Sequence, residues 1–191
     1  MTRFLPAIAL LTVISLAGWV AADEPLTFRS GTITITGTSN VHGWTCTTTS
    51  FTGSGNGAIT APGLSGLSAL TVSVPVARID CDNGTMNTKL RESLRASAAP
   101  NIRFVLGNAT VSTPRSGRFV VSTSGQLTIA GQTRPVTFTA NGQAVAGGQY
   151  RFTGSVPVTM SQYGIRPPTA MMGTMRTGDR VTVAFDVTLG R

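Results

Sequence analysis

The segment that most clearly indicates the fold is Arg180-Val181-Thr182-Val183-Ala184-Phe185-Asp186-Val187-Thr188-Leu189, near the end of a chain of 191 residues. It places a large apolar side chain at every second position, and this alternation predicts a strand with one buried face. Residues 32–36 and 67–76 repeat the pattern. Pro75 lies within the second of these segments, so we expect that strand to lie at an edge or to end there.

The sequence pattern predicts further strands and turns for nearly all of the chain after Pro25. Strands are predicted at residues 44–52, 102–111, 119–129, 134–140, 143–146 and 150–160, with turns or bulges at residues 53–57, 114–117, 130–132, 141–142 and 147–148. About eight sequential strands with short links indicate an antiparallel meander, whose edges would be hidden by closure into a barrel. We therefore predict an all-β fold, an eight-stranded antiparallel β-barrel with an interior that could hold one small ligand. A β-sandwich is the alternative.

One segment, residues 85–98, has the period of a helix. Met86, Leu90 and Leu94 are four residues apart and therefore share a helical face. Asn83 or Thr85 could cap its start, and Pro100 marks its end. We predict one short helix within the β-rich domain.

The first 22 residues have the features of an export signal. Arg3 precedes an uncharged apolar run, and small residues up to Ala22 precede the polar Asp23. We predict a signal peptide at residues 1–22, cleaved after Ala22, and a single domain at residues 23–191 that is exported. An uncleaved membrane anchor is the alternative, because the apolar run is about as long as the shortest membrane span.

Charge and cysteine content limit the possible partners. Without Arg3, 14 basic residues face seven acidic ones, a net charge of +7. The basic residues are scattered, so we predict no nucleic-acid binding, and both plain solubility and contact with an anionic membrane surface stay open. Cys46 and Cys81 form an even pair, which in an exported protein predicts a disulfide that stabilises the fold by roughly 3–4 kcal/mol.

The sequence contains few of the residue types and motifs that catalytic sites use. His42 is the only histidine, and Asp80 and Asp82 lack the spacing of a calcium loop. Nucleophile-elbow, phosphate-loop and dinucleotide motifs are absent from the sequence. We therefore predict that the protein is not an enzyme and needs no metal or cofactor. We expect a structural role for His42, with contact to a ligand left open.

Residues 160–175 form the least regular segment. They contain four of the six methionines together with Pro167-Pro168, which forbids regular structure there. Methionine is flexible and suits surfaces that adapt to apolar ligands. The segment is either a plain loop over the barrel end or a lid over an apolar cavity.

Several blocks in order resemble the YceI-like family of bacterial periplasmic proteins. They are Ser39-Asn40-Val41-His42-Gly43-Trp44, the helix with Met86 to Ser93, Pro100-Asn101-Ile102-Arg103-Phe104, Gly125-Gln126-Leu127-Thr128-Ile129-Ala130-Gly131-Gln132-Thr133-Arg134-Pro135-Val136 and Ser161-Gln162-Tyr163-Gly164-Ile165-Arg166-Pro167-Pro168. The resemblance covers nearly all of residues 23–191 and implies a lipocalin-like barrel that binds a polyisoprenoid, such as an isoprenoid quinone, in the periplasm. Many relatives lack a cysteine pair like Cys46 and Cys81.

Transfer of such a chain needs apolar burial rather than acid or base groups. We expect inward-facing apolar residues to line the cavity, namely Leu90, Leu94, Phe104, Leu106, Phe138, Ile165, Met171 and Met172, with Val41 and Trp44 as secondary candidates. A register slip of one residue would invert the faces of the strands in this set. The expected partners are the isoprenoid lipid and, in transient contact, a membrane surface or a membrane redox protein. A structural or protein-interaction barrel without stoichiometric lipid is the alternative function.

Overall fold

The computed structural model describes residues 23–60, 63–170 and 174–191, which contain ten strands and one α-helix. The strands are β1 (Asp23–Ser39), β2 (Gly43–Thr48), β3 (Thr52–Thr60), β4 (Gly63–Pro75), β5 (Asn101–Val111), β6 (Arg118–Ile129), β7 (Gln132–Val145), β8 (Gln149–Thr159), β9 (Thr169–Ala170) and β10 (Met175–Gly190). The helix is α1 (Gly84–Ser93). None of the helices in these ranges has the length and hydropathy needed to cross a bilayer.

The sheet closes on itself. Its order is β1-β3-β4-β5-β6-β7-β8-β10, and β10 returns to pair with β1 from Thr27↔Gly190 to Ser39↔Thr177. β2 occupies the other edge of β1 beyond the stretch that pairs with β3, and the two-residue β9 adds to the start of β10. The predicted eight-stranded antiparallel barrel is confirmed, and this closure excludes the sandwich.

Two glycine-containing segments lie within strands: residues 53–57, for which the sequence predicts a turn or a bulge, and residues 141–142, for which it predicts a turn. Residues 53–57 belong to β3, with a bulge at the step from Ser54 to Asn56, and residues 141–142 belong to β7. The Phe28 ring lies over Gly53, where a Cβ atom would be 2.7 Å from it, and the Phe119 ring lies against Gly142 in the same way. Gly53 and Gly142 make room for aromatic rings, so the strands continue through these positions.

Helix α1 begins where the sequence indicates and ends earlier. The Asn83 side chain accepts a hydrogen bond of 3.0 Å from the N–H of Met86, which confirms the predicted cap. The helix stops at Ser93 instead of residue 98 because Arg95 adopts a positive φ of 53°, which a right-handed helix does not accommodate.

The segment before α1 is fastened to the barrel. The predicted disulfide between Cys46 and Cys81 is present, and Thr47 and Asp80 exchange two backbone hydrogen bonds of 2.7 and 2.8 Å. The Asp80 carboxylate also accepts a 2.7 Å hydrogen bond from the Asn87 side chain, which lowers the pKa of Asp80. These contacts fix α1 over one end of the barrel.

The two ends of the barrel differ. At the far end, which carries the connections at residues 112–117 and 146–148, buried side chains fill the interior, including Leu26, Leu64, Phe119, Tyr150 and Leu189. The other end carries the connections at residues 40–42, 76–100, 130–131 and 160–168, and we call it the mouth. The interior is therefore packed at one end and covered by α1 and loops at the other.

Candidate functional site

An apolar cavity of about 190 Å³ lies inside the barrel, and we call it the inner cavity. Twenty-five residues line it, and only Thr48 and Thr123 among them are polar. The Thr123 hydroxyl donates a 2.8 Å hydrogen bond to the Phe138 carbonyl, and the Thr48 hydroxyl donates to the Ser50 carbonyl. Because both hydroxyl hydrogens are used, the wall presents an almost wholly apolar surface to an occupant.

Alternation along the strands builds this wall. On β10, Val183, Phe185, Val187 and Leu189 line the cavity, while Asp186 on the opposite face pairs with Arg151. The Arg151 guanidinium holds the pKa of Asp186 below its ordinary value through this hydrogen bond. Period two therefore separates the charged outer surface from the apolar lumen.

Three of the six phenylalanine rings that line the inner cavity contact one another in a row. The Phe138 ring centre is 5.4 Å from that of Phe104 and 5.7 Å from that of Phe185. A Cβ atom at Gly125 would lie 2.7 Å from the Phe104 ring, and one at Gly154 would lie 2.5 Å from the Phe185 ring. Since these glycines leave room for the rings against the sheet, the centre of the lumen stays open.

A second cavity of about 180 Å³ lies at the mouth, under α1, and we call it the mouth cavity. Its wall includes residues of α1, of β2 and of the loop after β8. Five apolar residues line both cavities and form the neck between them: Ile35, Ile102, Ile129, Val158 and Val183. The two cavities therefore adjoin and can receive one elongated occupant.

Apart from Thr48 and Thr123, the polar residues of the site line the mouth cavity. They include His42, Lys89 and Ser93, together with hydroxyl groups of Ser39, Thr169 and Thr177. The Nδ1 atom of His42 is 2.7 Å from the Gly43 carbonyl oxygen, so Nδ1 donates and Nε2 of the neutral ring remains an acceptor. A ligand with one polar end can meet hydrogen-bonding groups at the mouth and hydrocarbon further in.

The sequence-predicted residues divide into four groups. Leu90, Leu94, Ile165 and Trp44 line the mouth cavity, and Phe104 and Phe138 line the inner cavity. Leu106 is half-buried on the same face of β5 as Phe104 but lines neither cavity, and the regular pairing of β5 with β6 is interrupted directly after it. Val41 also lines neither, because it lies 63% exposed at the tip of the β1–β2 loop. Met171 and Met172 lie outside the described residues.

Several lining residues were not among the sequence candidates. They include the five neck residues and, at the mouth, Met86, Lys89 and Met160. The sequence does indicate which way two of these residues face: alternation predicts that Val183 points inward, and the helical period places Met86 beside Leu90. Periodicity alone does not distinguish inward-facing residues that line a cavity from inward-facing residues that pack against one another.

The mouth end also concentrates positive charge. Its connections and strand ends carry nine basic and four acidic residues, a net charge of +5, whereas the remainder of residues 23–191 carries five and three, a net charge of +2. The nine basic residues are Arg78, Lys89, Arg91, Arg95, Arg103, Arg134, Arg166, Arg176 and Arg180. Two of the four acidic residues accept local hydrogen bonds, Asp80 from Asn87 and Asp179 from Ser161.

Comparisons with known proteins agree with this architecture. A model of the YceI-like domain matches residues 21–189. Among solved structures, the chain is similar to BcnA of Burkholderia cenocepacia (TM-score 0.64, 18% identity, 83% of this chain and 95% of that chain). It is also similar to a polyisoprenoid-binding domain from Saccharophagus degradans implicated in plant cell wall breakdown (0.66, 11%, 86% and 97%) and to the Campylobacter jejuni YCEI protein (0.57, 14%, 98% and 97%). No curated protein matched the chain.

Proposed function

The chain belongs to the YceI-like domain family, and we propose that it binds and carries a long apolar isoprenoid, such as the chain of an isoprenoid quinone. The observation that carries this proposal is the pair of adjoining cavities, which run from a mouth with several polar residues to an almost wholly apolar interior. The structural neighbour from Saccharophagus degradans is a polyisoprenoid-binding domain, which supports the same ligand class.

The driving force for binding is the removal of hydrocarbon from water. At about 0.8 kcal/mol per buried CH₂ group, an isoprene unit of about five carbons gains roughly 4 kcal/mol. The inner cavity of 190 Å³ is more than ten times the roughly 10–15 Å³ that one water molecule needs. An apolar space of this size leaves its wall without contact partners, and an isoprenoid chain supplies them.

The distribution of polar groups favours one orientation of the ligand. The hydrocarbon chain enters the inner cavity, where both threonine hydroxyls already donate to carbonyl oxygens. A polar group at the other end of the ligand stays at the mouth beside Lys89, Ser93 and His42. Burying that group in the inner cavity would leave it without hydrogen-bond donors, which is costly.

We also propose that the activity is binding and not catalysis. The His42 ring donates to the backbone carbonyl of Gly43 and not to a carboxylate that would orient a general base. A His42→Ala variant is expected to retain ligand affinity within about tenfold, because the change removes at most one hydrogen bond of about 0.5–1.5 kcal/mol.

Export belongs to the same proposal. A cleaved signal at residues 1–22 would deliver the domain to the periplasm, an oxidising compartment in which a disulfide between Cys46 and Cys81 persists. The mass of the protein recovered from the periplasmic fraction tests this, because cleavage after Ala22 leaves Asp23 as the first residue. An intact Met1 on membrane-bound protein would contradict it.

The first experiment identifies the ligand. The protein is purified from its own host, extracted with organic solvent, and the extract is analysed by mass spectrometry. A near-stoichiometric isoprenoid supports the proposal. An extract that is empty, and stays empty after incubation with isoprenoid quinones, would favour a structural or protein-interaction barrel.

A matched pair of variants connects the ligand to the cavity. Phe104→Asp places a carboxylate in the inner cavity, whereas Val105→Asp places it on the adjacent outward position of the same strand, where the valine is 42% exposed. We expect only Phe104→Asp to lose the ligand while both variants keep the circular dichroism of the barrel. Equal loading of the two variants would place the ligand elsewhere.

A further inference from the structure

From the charge at the mouth and the exposed Val41 beside it, we propose that the mouth end docks on an anionic lipid bilayer. This inference rests on the proposed isoprenoid-binding function and names the surface from which the ligand is exchanged. An isoprenoid chain resides in bilayers, so a mouth held against the membrane lets the chain move without crossing water.

The first observation is the asymmetry of charge. The mouth end carries a net charge of +5 and the remainder of residues 23–191 a net charge of +2. At the mouth, the Asp179 carboxylate accepts hydrogen bonds from the N–H and hydroxyl of Ser161. Exposed arginines there, such as Arg78 and Arg166, face the surroundings and are attracted to lipid phosphates.

The second observation is an apolar side chain at the rim. Val41 is 63% exposed, more than any other large apolar residue that the structure describes. It lies at the tip of the β1–β2 loop, and the next residue, His42, lines the mouth cavity. A valine at this position can insert between lipid headgroups when the mouth faces a bilayer.

The third observation is that this loop is ordered before any contact. The Ser39 hydroxyl oxygen accepts hydrogen bonds from the N–H groups of Val41 (3.2 Å) and His42 (3.1 Å). The Asn40 side chain donates to the carbonyl of Thr174 and accepts from the N–H of Arg176, both at 2.8 Å. Because the loop is already fixed, insertion of Val41 costs little conformational entropy.

The test is sedimentation of the purified protein, produced from the full-length chain, with vesicles of phosphatidylcholine mixed with phosphatidylglycerol. We expect binding to these vesicles at low salt, weak binding to pure phosphatidylcholine, and release at about 1 M salt, where the Debye length is about 3 Å. Binding of equal strength to both vesicle types would overturn the proposal.

Two matched pairs of variants locate the surface. Neither Arg78 nor Arg166 lines a cavity, and we expect the double variant Arg78→Glu/Arg166→Glu to bind the anionic vesicles at least about tenfold more weakly. The double variant Arg115→Glu/Arg118→Glu makes the same change in charge at the far end and should stay within about threefold of the unchanged protein. Equal losses in the two would show that net charge, and not the mouth, determines binding.

The second pair tests insertion of the apolar side chain. We expect Val41→Asp to weaken binding to the vesicles several-fold, and Val120→Asp, at an exposed valine on β6 in the far half of the barrel, to change it less. Equal effects of the two substitutions would contradict insertion of Val41.

The outcomes separate this inference from the proposed function. A protein that loads isoprenoid from detergent and ignores vesicles overturns the docking surface and leaves the carrier function standing. A protein that docks through the mouth and never loads isoprenoid contradicts the carrier function instead. Binding to native membranes but not to protein-free vesicles would overturn lipid docking and indicate a membrane protein as the partner.

Discussion

The proposal that the ligand extends from the mouth cavity through the neck into the inner cavity is tested most directly by blocking the neck with a larger side chain. Ile102, on β5, lines both cavities, and replacing it with tryptophan fills the neck with a larger ring. The barrel has empty space on either side of this position, so the cost in folding free energy should fall at the low end of the roughly 1–3 kcal/mol typical of overpacked cores.

The expected effect on ligand affinity follows from the part of the chain that is kept out. The inner cavity of about 190 Å³ is large enough for at least one isoprene unit. Excluding one unit of about five carbons loses roughly 4 kcal/mol at about 0.8 kcal/mol per CH₂ group. Since 1.4 kcal/mol corresponds to tenfold, the dissociation constant should rise about a thousandfold.

The assay compares Ile102→Trp with Val105→Trp. Val105 is on the same strand, faces outward and is 42% exposed, so tryptophan there adds the same bulk without entering the lumen. Bound isoprenoid is quantified by mass spectrometry after incubation with a quinone, and urea unfolding monitors the fold. If Ile102→Trp unfolds like the unchanged protein and loads as much ligand as Val105→Trp, the chain does not pass through the neck.

Three further predictions concern the wall, the disulfide and pH. Gly154→Ala should push the Phe185 ring into the inner cavity, since the new methyl group would lie 2.5 Å from it, and should reduce both loading and thermal stability. Replacing Cys46 and Cys81 together by alanine should lower the free energy of unfolding by roughly 3–4 kcal/mol, measured with urea, and added reductant should then have no further effect. The pKa of Asp80 lies below its ordinary value of 3.8, mainly because a side-chain amide donates to it, so its contribution to stability is present above that pH and is lost as the pH falls through the lowered pKa. The difference in urea midpoint between the unchanged protein and Asp80→Asn should therefore shrink on acidification, and a difference that stays constant with pH would contradict this role.

The sequence alone determined the elements whose causes are local. Alternation at residues 180–189 indicated a strand, and β10 covers it. Asn83 indicated the start of α1 because a side-chain acceptor three residues before an N–H is a local arrangement. The number of strands, with short links between them, was enough to predict an antiparallel barrel, since a meander of this length has edges that closure removes.

Only the tertiary structure decided what the glycines and the inward-facing residues do. The glycines at residues 53–57 and 141–142 carry the local signature of turns or bulges, but aromatic rings occupy the space above Gly53 and Gly142 and the strands continue, with a bulge in β3. Leu106 shares a strand face with Phe104 and is half-buried, yet only Phe104 lines a cavity. Empty space arises from the way all the strands close around it, so no local pattern records which apolar side chains face a cavity and which face one another.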